Sequence, residues 1–343
     1  MVTIIVHWHF HIHNQAPYAL SLHICLTMGT DIRIIYISVS TFLENIIGAT
    51  IHIMATSKSM QGKICLVTGA TSGMGTETAL GLARLGATVV LVARNKQKGE
   101  ETLREMKRQS DNEDIDLLLA DLSSQQEVRK LAAEFKAKYQ HLHVLVNNAG
   151  AVFSKRQTTV DGLEMTFALD HLAYFLLTNL LLDTIKASAP ARIINISSQV
   201  QGIGKIHFDD LQSEKSYSMF GSTAYGQAKL ANVMFTYELA RRLQGTGVAV
   251  NAVGPGPVAT NFGMSNGGIF ARFTALVSRY GKTPVDAAKT AIRLASAPEL
   301  GGETGKFYYN EREIPSSKLS HNVATQKRLW DVSEELTKAA VVL

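Results

Sequence analysis

Of the ten tyrosines in this 343-residue chain, only Tyr225 has a lysine, Lys229, four positions later. On a helix those positions share a face, which brings an ammonium beside a phenol. A phenol titrates near ~10. A fixed positive charge beside it stabilises the phenolate and lowers that value, so the group can exchange a proton near neutral pH. Such pairs also arise by chance on exposed helices, so their company matters. Upstream, Arg192-Ile193-Ile194-Asn195-Ile196 runs into Ser197-Ser198, whose hydroxyls would stand at the carboxyl edge of a sheet. A hydroxyl there can hold a carbonyl oxygen while the tyrosine moves the proton. Ser198, Tyr225 and Lys229 are therefore candidates for carbonyl and alcohol chemistry.

A second constellation lies earlier. Thr68-Gly69-Ala70-Thr71-Ser72-Gly73-Met74-Gly75 directly follows the β-branched run Ile64-Cys65-Leu66-Val67 and opens a helical stretch. Gly69, Gly73 and Gly75 permit a tight turn and let backbone N–H groups, with Thr71, Ser72 and Met74 between them, close on a pyrophosphate. The spacing differs from the commoner G-x-G-x-x-G, yet strand, turn and helix stand in dinucleotide-binding order. A carboxylate at the end of the next strand would bind a ribose 2′-hydroxyl. Here that strand ends Val92-Ala93-Arg94-Asn95 with no acid. A guanidinium at Arg94 suits a 2′-phosphate, which points to NADP(H); the bland alternative is a solvated loop arginine.

The elements that must position these groups alternate. Strands are expected at 64–67, 88–92, 116–119, 144–146, 192–196, 248–253 and 305–309. Helices are expected at 75–85, 96–109, 125–139, 163–185 and 225–243, with another near 324–340. In the 125–139 stretch Val128, Leu131, Ala132 and Phe135 recur at i, i+3, i+4 and i+7. Repeated β-α units with apolar strands imply an α/β fold, a single doubly wound parallel-sheet Rossmann-type domain over residues 54–343. In such sheets ligands sit beyond the carboxyl ends of the strands, where the residues above fall.

Composition agrees with a folded domain: 46% of residues are hydrophobic and 18% charged, enough apolar surface to offset the entropy of ordering the chain. Two cysteines make no disulfide scaffold, no Cys/His cluster has zinc-finger spacing, and no metal is expected. A reducing, cytoplasmic compartment follows. The net charge of +5 comes from interspersed residues rather than a basic block, so no nucleic-acid partner is expected.

Residues 1–53 are atypical. Their only charges are Asp31, Arg33 and Glu44, and they hold six of the eleven histidines. A secretory leader lacks its basic start here. A membrane anchor over 34–54 would carry Glu44 and Asn45 near its centre. His7, His9, His11 and His13 alternate and would share one face of a strand. The reading taken forward is upstream sequence preceding a start at Met54 or Met60, with membrane association left open if the extension is real.

From about Gly62 to Leu336 the chain resembles the short-chain dehydrogenase/reductase family. The resemblance rests on Thr68–Gly75, Asn147-Asn148-Ala149-Gly150, Ser198, Tyr225-x-x-x-Lys229 and Pro255-Gly256, in that order. Phe208–Lys215, Lys229-Leu230-Ala231-Asn232, Arg241-Arg242-Leu243 and Arg328–Ser333 are similar to its retinol-dehydrogenase-like branch. The resemblance implies Tyr225 as general acid/base, Lys229 as ribose ligand and tuner of the tyrosine, and Ser198 as carbonyl anchor. It also implies Asp121, beside Leu122, at the adenine, and Asn148, flanked by Ala149 and Gly150, near the ribose. Thr260, after Pro255-Gly256-Pro257-Val258-Ala259, would meet the carboxamide or phosphates. The family usually has an asparagine within Asn-His-Leu-Gly of the long helix that holds a water in the proton relay; this chain reads Asp170-His171-Leu172-Ala173. The resemblance therefore implies Asp170 as the fourth catalytic residue, sufficient if the relay uses its backbone carbonyl and not if it needs a side-chain amide. Ala228 also stands where serine is frequent.

The glycines and apolar residues of 261–280 read as a lid over a lipophilic substrate, or as plain helix packing. The expected activity is an NADP(H)-dependent oxidoreductase interconverting an alcohol and a carbonyl. The alternatives are a nucleotide-binding sensor or scaffold and a C=C reductase. A homodimer or homotetramer is the expected assembly, since the family often pairs through its long helices.

Overall fold

The computed structural model describes residues 3–11, 19–28, 31–38, 58–218, 221–258 and 281–338. The chain divides into two compact units, Met1–Ser59 and Met60–Leu343. In the first, strands β1 (Thr3–His11), β2 (Ala19–Met28) and β3 (Asp31–Ser38) form an antiparallel sheet in the order β1-β2-β3. The side chains of His7, His9, His11 and His13, singled out in the sequence, lie outside the described residues.

The second unit is built on an eight-stranded sheet. Its strands are β4 (Ile64–Thr68), β5 (Thr88–Ala93), β6 (Ile115–Leu119), β7 (Val144–Asn147), β8 (Ala191–Ile196), β9 (Val248–Val253), β10 (Lys306–Tyr309) and β11 (Arg312–Glu313). They lie in the order β11-β10-β9-β8-β7-β4-β5-β6, parallel except for the β10–β11 pair. The chain winds outward from β4 through β5 and β6, then returns to β7 on the other side of β4. That reversal opens a crevice beyond the carboxyl ends of β4 and β7, the place where such sheets hold ligands.

Among the described residues, seven helices cover the sheet: α1 (Gly73–Arg84), α2 (Lys96–Ser110), α3 (Gln125–Lys138), α4 (Met165–Lys186), α5 (Ser222–Arg242), α6 (Pro284–Ser296) and α7 (Val323–Thr337). Period-2 alternation along β4 assigns its side chains to two cores. Leu66 joins Phe135 of α3, Phe175 of α4, Phe235 of α5 and Trp330 of α7. Cys65 and Val67 join Leu80 of α1, Met106 of α2 and Ala291 of α6. Because both faces are covered, all three β4 side chains are fully buried; the Leu and Val each contribute about 1.5–3 kcal/mol. Burial pushes the Cys65 thiol up to about 12, which leaves it unreactive.

Several elements of the second unit differ from the sequence expectation, the unforeseen antiparallel strand β11 among them. Helix α6 was not foreseen, although its start is written in Thr283, whose hydroxyl accepts the Asp286 N–H, followed by Pro284. Its buried face of alanines, with Leu294, gives a weak apolar signal. The long helix expected over 163–185 is α4, but it contains a π turn at Ala168–Leu172 in which the Ala173 N–H bonds to Ala168 O. Hydropathy periodicity cannot register one inserted residue. Met165–Lys186 is apolar and long enough to cross a membrane, yet Phe175, Leu176, Leu177, Leu181 and Leu182 are buried in the domain core.

Candidate active site

The floor of the crevice is a stitched pair of strand ends. Thr68 Oγ1 donates to Val146 O and accepts the N–H groups of Asn148 and Ala149 at 2.8 and 3.0 Å. Asn148 Nδ2 returns a bond to Thr68 O at 2.8 Å and reaches Gly69 O at 3.3 Å. Gly69 has φ +65°, and a Cβ on Gly75 would stand 2.4 Å from both Gly69 O and Asn148 Nδ2. Thus Gly69 meets a conformational demand and Gly75 a close approach. The glycine turn and the 147–150 turn form one surface.

Helix α1 opens onto that surface. Its N-cap, Ser72, is extended and makes no side-chain capping bond, and no acid stands in the first turn. By contrast α2, α3, α6 and α7 are capped by Asn95, Ser124, Thr283 and Asn322. The first-turn amides of Gly73, Met74 and Gly75, with the Thr71 and Ser72 hydroxyls, are a donor set suited to phosphate. At the neighbouring strand ends Arg94, with its side chain 74% exposed, lies 3.9 Å from Asp121. Asp121 is itself fixed by the Ser123 N–H and hydroxyl, and the adjoining Leu122 is buried. The donors fit a dinucleotide phosphate.

Below the crevice runs a polar ladder that the sequence reading missed. Asn147 Nδ2 donates to Thr178 Oγ1 and Asn195 Oδ1, both at 2.9 Å, and Asn195 Nδ2 donates to Thr236 Oγ1 at 3.0 Å. All four residues are fully buried. The ladder ties β7 and β8 to α4 and α5, the helices that carry Asp170, Tyr225 and Lys229. Polar residues inside apolar strands, Asn147 and Asn195, were the available signal.

At the carboxyl end of β8, Ser197 Oγ donates to Lys229 O at 2.7 Å, locking α5 to the strand. The adjoining Ser198 hydrogen-bonds the Tyr225 side chain. The Lys229 ammonium lies 5.4 Å from the Tyr225 ring centroid and 5.6 Å from that of Tyr174. It donates to Ile196 O at 3.3 Å and meets Asp170 Oδ2 at 2.9 Å. Asp170 Oδ1 accepts the Ala151 N–H at 2.8 Å, and Gly150 packs so closely that a Cβ there would stand 2.9 Å from Oδ2. Contacts therefore run unbroken from Gly69 through Asn148 and Gly150 to Asp170, Lys229 and Tyr225.

The expectation that Lys229 lowers the Tyr225 phenol is corrected. Burial, then the negative charge of Asp170, push that phenol up, and the Ser198 hydrogen bond offsets only part of this. The cation is where the i, i+4 spacing put it, but it is paired. The π turn also frees the Asp170 backbone carbonyl, which accepts Asn232 Nδ2 at 2.8 Å. Asn232 Oδ1 pairs with His171 Nδ1 at 3.3 Å, and His171 Nε2 with Ser333 Oγ of α7 at 2.9 Å.

Pro255, Gly256 and Val258 continue from the end of β9. Gly256 has φ +82° and packs on the Tyr309 ring, and Val258 bridges to Lys282. Lys282 Nζ donates to Pro255 O at 3.0 Å. Thr260 and the 261–280 segment lie outside the described residues.

Residues 63–267 match the family described as short chain dehydrogenase. Mouse retinol dehydrogenase 12 is 38% identical over 315 residues, covering 92% of this chain and 98% of that protein. Human polyprenol dehydrogenase is 39% identical over 285 residues, covering 80% and 85%. Among solved structures, the Pseudomonas aeruginosa RhlG/NADP active-site complex superposes with a TM-score of 0.59 at 30% identity, over 74% of this chain and 96% of that one. With this crevice and these relatives, the chain belongs to the short-chain dehydrogenase family, in its retinol-dehydrogenase-like branch, and is an oxidoreductase that works with a nicotinamide cofactor on a small molecule.

Proposed function

We propose that the chain is an NADP(H)-dependent oxidoreductase that interconverts an alcohol and a carbonyl on a lipophilic substrate, with Tyr225 as general acid/base. The observation that carries this reading is the grouping of Tyr225, Ser198 and the Lys229 ammonium at one end of the crevice whose other end is the glycine turn. The names of two relatives carry retinol and polyprenol, both apolar alcohols, which supports the substrate class. Arg94, just past the end of β5, whose own terminus carries no acid, supports the 2′-phosphate; the carboxylate near it is Asp121 of the next strand end, 3.9 Å away.

When bound, the nicotinamide supplies or accepts the hydride. The chain's own groups do the rest. The α1 amides with Thr71 and Ser72 would hold the pyrophosphate, Arg94 the 2′-phosphate, and Asp121 and Asn148 the adenine and ribose sides. Ser198 fixes the substrate oxygen beside the Tyr225 hydroxyl, so proton transfer needs no rearrangement. Tyr225 then donates its proton to that oxygen in reduction or takes it back in oxidation.

Tyr225→Phe removes only the hydroxyl. Turnover of a panel of lipophilic aldehydes, ketones and alcohols, followed by NADPH absorbance, should drop by at least ~100-fold, the ordinary contribution of a general acid. NADPH binding should persist. Undiminished turnover in that variant would remove Tyr225 from the role.

A further inference from the structure

Asp170 is built into one position. Its Oδ1 is held by the Ala151 N–H, Gly150 packs against its Oδ2, and its backbone carbonyl is held by Asn232. The remaining carboxylate oxygen points at the Lys229 ammonium, 2.9 Å away, with the two side chains 0% and 3% exposed. The ammonium is also bracketed by the rings of Tyr225 and Tyr174. A buried ion pair is neutral as a unit, so its cation stabilises a neighbouring anion far less than a lone cation does.

We propose that Asp170 is a positioning residue that cancels the charge of Lys229 and so keeps Tyr225 in its phenol form, setting the site for carbonyl reduction at neutral pH and reserving alcohol oxidation for alkaline conditions. The proposal rests on Tyr225 being the acid/base, as above. In reduction the Tyr225 O–H bond would break as the alcohol O–H forms, a bound nicotinamide would supply the two electrons as hydride, and the net proton consumed would come from bulk solvent, which reprotonates the phenolate. Oxidation must instead begin from the phenolate.

Among the described residues, the titratable groups around this centre leave few other sources of charge. Lys229 and Tyr225 come from α5, Tyr174 from α4, and Asp170 and His171 from the π turn. His171 is turned toward Asn232 and Ser333, and burial keeps it neutral at pH 7. Glu164, just before α4, spends its carboxylate on the N–H groups of Thr166 and Phe167. Converting Asp170 to an amide of the same shape therefore leaves Lys229 as the unopposed charge beside the phenol. Burial and the Asp170 charge holding Tyr225 up agree with this geometry.

The test uses the full chain, without cofactor, labelled with 13Cζ-tyrosine and titrated by NMR, with Tyr225→Phe assigning the Tyr225 signal. In Asp170→Asn the Tyr225 midpoint should fall by about one pH unit or more, the usual effect of a nearby charge. The pH profile of oxidative kcat/KM should move with it, and Asp170→Glu should restore both toward the wild type. An unmoved Tyr225 midpoint in Asp170→Asn overturns the proposal, whatever happens to turnover. In the wild-type protein alone, a Tyr225 midpoint at or below about 9, under the ordinary phenol value, overturns it as well, so the result does not depend on a variant folding. Persistent turnover in Tyr225→Phe is a separate failure; it refutes the acid/base reading itself.

Discussion

Gly75→Ala is the sharpest test of the cradle, because part of the obstruction, the Gly69 carbonyl, is backbone and cannot swing aside. The added methyl would lie 2.4 Å from Gly69 O and 2.4 Å from Asn148 Nδ2. Ordinary contact begins about 1 Å farther out, so the glycine turn and the 147–150 turn must part by roughly that amount. Overpacking of this kind costs about 1–3 kcal/mol, and the alanine's helix propensity returns at most ~1. In a domain this size each kcal/mol moves Tm by about 2 °C. The larger effect falls on the cofactor: if the first-turn amides of α1 grip phosphate, NADPH affinity should weaken by at least tenfold, about 1.4 kcal/mol. Thermal unfolding without cofactor and NADPH titration by calorimetry separate the two effects. Gly226→Ala is the control, since its Cβ would meet Gly204 Cα at an ordinary 3.4 Å. Wild-type NADPH affinity in Gly75→Ala would refute the cradle.

Two further outcomes follow from groups elsewhere. Arg94→Asp puts a carboxylate where the 2′-phosphate would sit, so the proposed preference for NADPH over NADH should collapse or invert in paired titrations; an unchanged ratio removes Arg94 from cofactor choice. His171 is fully buried, and burial lowers its imidazole to about 4. Its unfolded value is near 6.5, so the unfolded chain binds the extra proton first. The stability contributed by neutral His171 is complete above about 6.5 and is lost as pH falls toward about 4, roughly 3 kcal/mol in all. Urea melts of wild type and His171→Gln across that window should show a steeper acid slope for the wild type; parallel slopes would contradict this.

Much of the fold is legible in the chain because continuous apolar runs such as Ile64–Val67 can be satisfied only by a sheet covered on both faces. The strand-edge position of the chemistry then follows from the sheet. The pairing of Tyr225 with Lys229 follows from helical spacing, and the glycine turn from its place between β4 and α1. What spacing cannot give is charge partnership across the fold. Asp170 lies 59 positions before Lys229, in the π turn, and tertiary packing brings the two together. That is why a lone cation was expected and an ion pair was found. Helix α6 escaped for a humbler reason: alanines carry little apolar signal, and packing rather than hydropathy selects them.

The amide and hydroxyl ladder beneath the crevice has a consequence for reach. Asn147 and Asn195 are register partners, and their bonds to Thr178 and Thr236 fix how β7 and β8 slide past one another. A slip of one residue would turn these groups into apolar surroundings without partners, at several kcal/mol. The strands can therefore settle at only one relative height. Asn148 lies just past the end of one strand and Ser198 just past the end of the other, so the spacing between the residues proposed to meet ribose and substrate oxygen is set by groups buried beneath them.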